Sequence, residues 1–272
     1  MKPLHVESSG SGRPLVFWHG WGLNLRVFDR LRNALAPEHL VIAVDLPGHG
    51  HSDWSEDENA ELQLQRLSAT VPDGALLIGW SLGGQMAMRY AARQRDQLRA
   101  LILLHSTPRF VRTPDWPAGM EPETFARFAT SLQRDPTGTV SDFLEMQTRG
   151  SRAAANTIDA LQQALSEHGR ARLPALQAGM KILMDGDLRA EAARLQLPTL
   201  VVGGQYDRIT PPAASRALAQ LIPGAQYLEL RRAGHASFLS HESELLAALQ
   251  AFMAGLDMST AAPRQLLSER RA

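Results

Sequence analysis

The run Ala75-Leu76-Leu77-Ile78-Gly79-Trp80-Ser81-Leu82-Gly83-Gly84 constrains this chain more than any other. A short apolar segment reads as a buried strand, and a helix-forming run follows directly. Between them, Gly79-Trp80-Ser81-Leu82-Gly83 places a serine between two glycines in the G-x-S-x-G pattern. That spacing fits a sharp strand-to-helix turn which lifts the serine hydroxyl clear of the sheet. Gly79 and Gly83 leave room where a side chain would clash with neighbouring backbone. A helix starting at Leu82 aims free N–H groups and its positive end at the space above Ser81.

The flanking sequence supplies a scaffold for such a turn. Residues 4–7 read as an edge strand. Pro14 to Trp18, Leu40 to Val44, and Leu98 to Leu104 are continuous apolar runs, as strands covered on both faces should be. Residues 25–36 and 58–70 read as helices between them. The alternation predicts an α/β fold with a mostly parallel central sheet and helices on both faces. After His105 the pattern changes. Residues 108–190 hold helical stretches near 123–133, 140–148 and 157–165, broken by Pro114, Pro117, Pro122, Pro136 and Pro174. This segment reads as a helical cap inserted into a core of residues 1–107 and 191–257. The sheet pattern resumes at 198–204 and 226–230, and a helix over about 242–254 closes the fold. Residues 258–272 read as a loosely ordered tail.

A serine nucleophile on such a sheet needs an acid and then a histidine later in the chain. Of nine histidines, four follow Ser81: His105, His168, His235 and His241. His105 ends a strand and His168 lies in the insertion. His235 stands in a loop between the last strand and the last helix, where the sheet's carboxyl edge can deliver it. His241 is the weaker choice. Asp207 follows the strand at 199–202 in a Gly- and Pro-bounded loop, whereas its rivals Asp185 and Asp187 precede that strand. The predicted catalytic set is therefore Ser81 as nucleophile, His235 as base and Asp207 as its orienting acid. The backbone N–H of Leu82 and of Trp21, in the loop after strand 15–18, would form the oxyanion hole.

Bulk properties narrow the alternatives. The formal net charge of 272 residues is zero, so nothing global points to nucleic acid or an anionic membrane. The chain has no cysteine, which excludes disulfides, thiolate metal sites and a cysteine nucleophile. The cluster Asp45, His49, His51, Asp53 is interleaved with Pro47, Gly48 and Gly50 and reads as a loop, not a metal site. The first seven residues lack an apolar core of the secretory kind, and no apolar run nears the length that spans a bilayer. The expectation is a cytoplasmic monomer that needs neither cofactor nor metal.

Taken together, His19-Gly20-Trp21-Gly22-Leu23-Asn24, Asp45-Leu46-Pro47-Gly48-His49-Gly50, the elbow, Tyr206-Asp207 and Ala233-Gly234-His235 resemble the α/β-hydrolase superfamily. Adding Asp115-Trp116-Pro117 and Phe143-Leu144-Glu145-Met146-Gln147, the chain is similar from about residue 15 to 254 to pimeloyl-[acyl-carrier protein] methyl ester esterases of biotin synthesis. That resemblance implies a substrate pocket of Trp21, Ser81, Leu82 and Phe143 to Gln147, with His235 also at the substrate. It implies an acyl-carrier protein partner held by a basic cap face. The match is weak there: Gly138, Ser141 and Asp142 are not basic, and Arg149 and Arg152, with Arg170 and Arg172 nearby, stand in. The triad alone leaves a short-chain carboxylesterase, thioesterase or lactonase open, and also a hydrolase-fold ligand receptor. Dehalogenases and epoxide hydrolases of this fold would carry aspartate at position 81.

Overall fold

The computed structural model describes residues 2–94, 96–148 and 154–261, with side chains as far as Leu256. Seven strands form one sheet: β1 (Val6–Ser9), β2 (Arg13–Trp18), β3 (His39–Val44), β4 (Ala75–Trp80), β5 (Leu98–Leu104), β6 (Thr199–Gly204) and β7 (Gln226–Leu230). Their spatial order is β1-β3-β2-β4-β5-β6-β7. Only β1 runs antiparallel, against β3; the other pairings are parallel. β4 is buried along its whole length, because helices cover both faces and its two neighbours take its backbone groups.

The helices are α1 (Asp29–Leu35), α2 (Ala60–Ser68), α3 (Leu82–Arg93), α4 (Pro122–Arg134), α5 (Pro136–Thr148), α6 (Ala154–His168), α7 (Leu173–Asp185), α8 (Arg189–Ala192), α9 (Pro212–Leu221), α10 (Ser237–Ser240) and α11 (Glu242–Ala261). Helices α4 to α7 lie between β5 and β6, in the stretch read as an insertion. Pro122, Pro136 and Pro174 do not break these helices; they open them. In a first turn the missing N–H would have no intrahelical acceptor, and the fixed φ suits the helix. Helix α11 continues to Ala261, seven residues past the expected end.

The stretch between β5 and β6 is tied to the loop after β2 by specific polar contacts. The buried Asn24 side chain donates to the carbonyls of Ala164 (2.8 Å) and Gly169 (2.9 Å). The Trp21 indole donates to the Leu176 carbonyl at 2.8 Å. Among the described residues no helix is long and apolar enough to cross a membrane.

Candidate active site

Parallel strands end together at the carboxyl edge of a sheet, and that edge is where α/β proteins place ligands. Here the residue after β2 is His19, after β3 Asp45, after β4 Ser81 and after β5 His105, while Asp207 lies three residues past β6. Apolar strands thus deliver a row of polar side chains to one rim.

Ser81 holds φ 55° and ψ −115°, a left-handed backbone that costs a non-glycine residue on the order of 1–3 kcal/mol. Its N–H bonds the Leu104 carbonyl at 3.0 Å, and its carbonyl accepts from Gln85 N–H and Ser106 Oγ. The surroundings hold the turn in place. A Cβ on Gly79 would lie 2.6 Å from the Gly83 carbonyl, so the flanking glycine is sterically required. Leu82 is the first residue of α3, so its N–H lacks an intrahelical acceptor and is free to serve an anion.

His235 is held on three sides. Its N–H donates to the Gln147 carbonyl at 2.9 Å, its carbonyl accepts from the Trp80 indole at 2.9 Å, and its Nδ1 lies 2.8 Å from Asp207 Oδ2. Its Nε2 is buried and has no hydrogen-bond partner among the described residues. Asp207 is buried; its Oδ1 accepts from the N–H groups of Ile209 and Thr210, both at 2.9 Å. Burial would raise the Asp207 pKa, but the His235 ring and hydrogen bonds from His105 and His235 bring it well below the usual carboxylate range. The aspartate is therefore ionised, accepts from Nδ1–H, and leaves Nε2 with its lone pair outward.

The other candidates are committed elsewhere. His241 Nδ1 pairs with Ser240 Oγ at 2.8 Å. Asp185 pairs with Lys181, and Asp187 with Arg109 and Arg189. Asp45 is spent within the core: Oδ1 accepts from Leu25 N–H, and Oδ2 from His51 N–H and His168 Nε2. His51 stacks on His168 at 3.9 Å between ring centres, with His5 beside them. His19 and His49 lie under the Trp21 loop. Their Nε2 atoms accept from the backbone N–H groups of Leu46 (3.0 Å) and Gly22 (3.3 Å).

Apolar side chains of α5 and α7 pack on the loop after β2. Trp21 packs edge-to-face on Phe143, with ring centres 5.0 Å apart. Val140, Phe143 and Gln147 recur at the spacing of one helix face, and all three are buried. Both amide atoms of Gln147 are buried without a hydrogen-bond partner among the described residues. Leu144 is also buried, whereas Met146 is half-buried and Glu145 is exposed, on the outer side of α5. Arg149 and Arg152 lie outside the described residues. Two contributors were not foreseen from sequence. Gly179 of α7 abuts both Trp21 and Leu82, and His105 shares Asp207 with His235.

Similarity to known proteins agrees with this geometry. Residues 13–242 match the family described as "alpha/beta hydrolase fold". The chain belongs to the α/β-hydrolase family. Among relatives of this hydrolase, the pimeloyl-[acyl-carrier protein] methyl ester esterase of Xanthomonas campestris pv. campestris (strain B100) is 41% identical over 256 residues, covering 93% of this chain and 100% of that protein. The enzyme of the same name from Stenotrophomonas maltophilia (strain R551-3) is 41% identical, covering 93% and 97%. In structure, the hydrolase resembles the esterase EaEST from Exiguobacterium antarcticum (TM-score 0.84, 22% identity, 92% and 95% covered). It also resembles a thermophilic esterase from Thermogutta terrifontis (TM-score 0.76, 25% identity, 93% of each chain).

Proposed function

We propose that this α/β-hydrolase is a serine carboxylesterase that cleaves the methyl ester of pimeloyl-[acyl-carrier protein] methyl ester, releasing methanol and the free distal carboxylate. The observation that carries the catalytic part is the His235–Asp207 pair, oriented with Nε2 open, at the sheet edge that presents Ser81. The identity over the full length of the Xanthomonas esterase supports the substrate.

In this reading Ser81 Oγ attacks the ester carbonyl carbon while His235 Nε2 takes the hydroxyl proton. Asp207 holds the Nδ1–H tautomer and stabilises the imidazolium. The developing oxyanion is met by the backbone N–H groups of Leu82 and Trp21; a donor of this kind contributes about 2.7–4 kcal/mol in other enzymes. The imidazolium returns the proton to the departing methoxide. Water, deprotonated by His235, then opens the acyl-enzyme. The apolar wall of Trp21, Leu82 and Phe143 suits a methylene chain, and the Gln147 amide supplies a polar contact.

The carrier protein docks transiently on the insertion, which acts as a cap over the site. The enzyme works as a cytoplasmic monomer. Of the basic residues near the expected docking face, Arg172 Nη2 is engaged with Asp53 Oδ1 at 3.3 Å.

The test is release of p-nitrophenol from a short acyl ester by wild type and Ser81→Ala. Wild type should give a burst and turnover, and the variant neither. Equal rates would remove Ser81 from the mechanism. A thioesterase would cleave the carrier-protein thioester in preference to the distal methyl ester, and product analysis separates the two.

A further inference from the structure

His105 follows β5 directly, and three features set it apart from a residue that merely ends a strand. First, its backbone is left-handed, with φ 47°, uncommon for a residue with a Cβ. The His105 N–H still bonds the Val202 carbonyl at 2.7 Å, which holds the residue in line with β6. Second, the ring is fully buried and sits against Gly204, where an added Cβ would lie 3.0 Å from His105 Cε1. Third, both ring nitrogens are engaged. Nδ1 lies 2.9 Å from Asp207 Oδ2, and Nε2 lies 2.6 Å from Ser237 Oγ.

Donor and acceptor roles follow from the ionised carboxylate, which can only accept. His105 Nδ1 must therefore carry a proton, as His235 Nδ1 does on the same oxygen. Burial lowers the His105 pKa, against the opposing pull of Asp207. The ring is neutral, and its Nε2 accepts from the Ser237 hydroxyl. Asp207 then receives two imidazole donors on Oδ2 and two backbone donors on Oδ1. These fill its lone-pair sites and fix both its rotation and its charge.

We propose that His105 is a positioning residue for catalysis, a neutral second histidine that pins the carboxylate of Asp207 so that His235 is held toward Ser81. This inference rests on the triad reading above. Ser237 contributes by fixing the His105 tautomer, and it opens helix α10 two residues after His235. Without the His105 donor the carboxylate can turn about its Cβ–Cγ bond, and burial draws it toward the protonated form. Either change leaves His235 less well oriented during proton transfer, with no loss of substrate contact.

The experiment compares His105→Leu, which fills the space without a donor, with His105→Asn. The Asn amide can stand near the Nδ1 position, and Asn tolerates a left-handed backbone. With a p-nitrophenyl ester, His105→Leu should lose roughly 10- to 100-fold in kcat with KM within about twofold, the pattern of a lost transition-state effect. His105→Asn should recover activity to within about threefold of wild type, since the donor is what matters. Independently of activity, protein labelled with 15N-histidine should show an exchange-protected, low-field ring N–H signal from His105 Nδ1 in wild type that is absent from His105→Asn, while that of His235 Nδ1 remains. Wild-type kcat in a folded His105→Leu, equal damage from Asn and Leu, or no protected ring N–H signal lost in His105→Asn would each overturn the proposal. Ser81→Ala is run alongside. An inactive Ser81→Ala with a fully active His105→Leu refutes only the role of His105, whereas an active Ser81→Ala refutes the triad and the proposal together.

Discussion

The indole N–H of Trp80 donates to the main-chain carbonyl of His235 at 2.9 Å. The residue immediately before Ser81, the proposed nucleophile, therefore holds the backbone of His235, the proposed base. The two rings also pack, with centres 5.5 Å apart. Ser81 and His235 are far apart in sequence, yet this buried hydrogen bond links the backbone of one to the neighbour of the other.

Replacing Trp80 with Phe keeps most of the packing and removes the donor. The His235 carbonyl is then buried and unpaired, which costs about 1–3 kcal/mol. The expected outcome is a fall in kcat of about tenfold with KM nearly unchanged, measured on a soluble ester. A change confined to KM would show that Trp80 shapes the pocket only.

Gly179→Ala tests the junction of helix α7 with Trp21 and Leu82. The new Cβ would sit 2.7 Å from Trp21 Cδ1 and 3.1 Å from Leu82 Cδ2. Those residues carry the proposed oxyanion donors and must shift to make room. Alanine also improves helix propensity by about 0.8–1 kcal/mol, which offsets the strain in thermal unfolding. We expect kcat/KM to fall by about tenfold or more while the melting temperature moves by about 4 °C at most. Unchanged kinetics would mean that Trp21 moves without consequence.

His19 and His49 predict how stability responds to acid. Burial lowers the His19 pKa to about 4, with Asp45 opposing, and the His49 pKa to about 3, with His19 adding to the fall. Each Nε2 already accepts a backbone N–H, so protonation breaks a buried hydrogen bond. Unfolded histidine takes its proton below about pH 6.5. The unfolded chain therefore binds more protons, and stability falls as pH drops from about 6.5 toward those folded values, by about 1.4 kcal/mol per pH unit for each histidine. Denaturant unfolding at pH 7, 6 and 5 measures the slope. His49→Gln, which keeps an acceptor, should lower the slope by one histidine's share. A flat profile would contradict the account.

The sheet, its carboxyl edge and the elbow were readable because apolar runs, glycines and chain order carry them locally. The prolines misled in a specific way. As helix openers and helix breakers they are the same letter, and only the position of the following turn decides. His105 was legible as a strand end, while its partner Asp207 is supplied by a loop across the sheet. The polar residues His19, Asp45 and Ser81, each directly after a strand, were the available signal that His105 too belongs to the rim. Gly179 had no comparable signal, because a helical glycine does not reveal what packs on it. The placement of Phe143 and Gln147 on one inward face of α5, with Glu145 outward, required the helix register itself.

The central claim is that Ser81, served by His235 and Asp207, removes a methyl ester from a carrier-bound pimeloyl chain. The most direct measurement is intact-mass analysis of methyl pimeloyl-acyl-carrier protein after incubation with wild type and with Ser81→Ala. The account predicts that wild type converts the carrier-bound ester to the carrier-bound acid, with the thioester intact, and that Ser81→Ala leaves it unchanged. An unaltered methyl ester after exposure to wild-type enzyme that is active on p-nitrophenyl esters would contradict it.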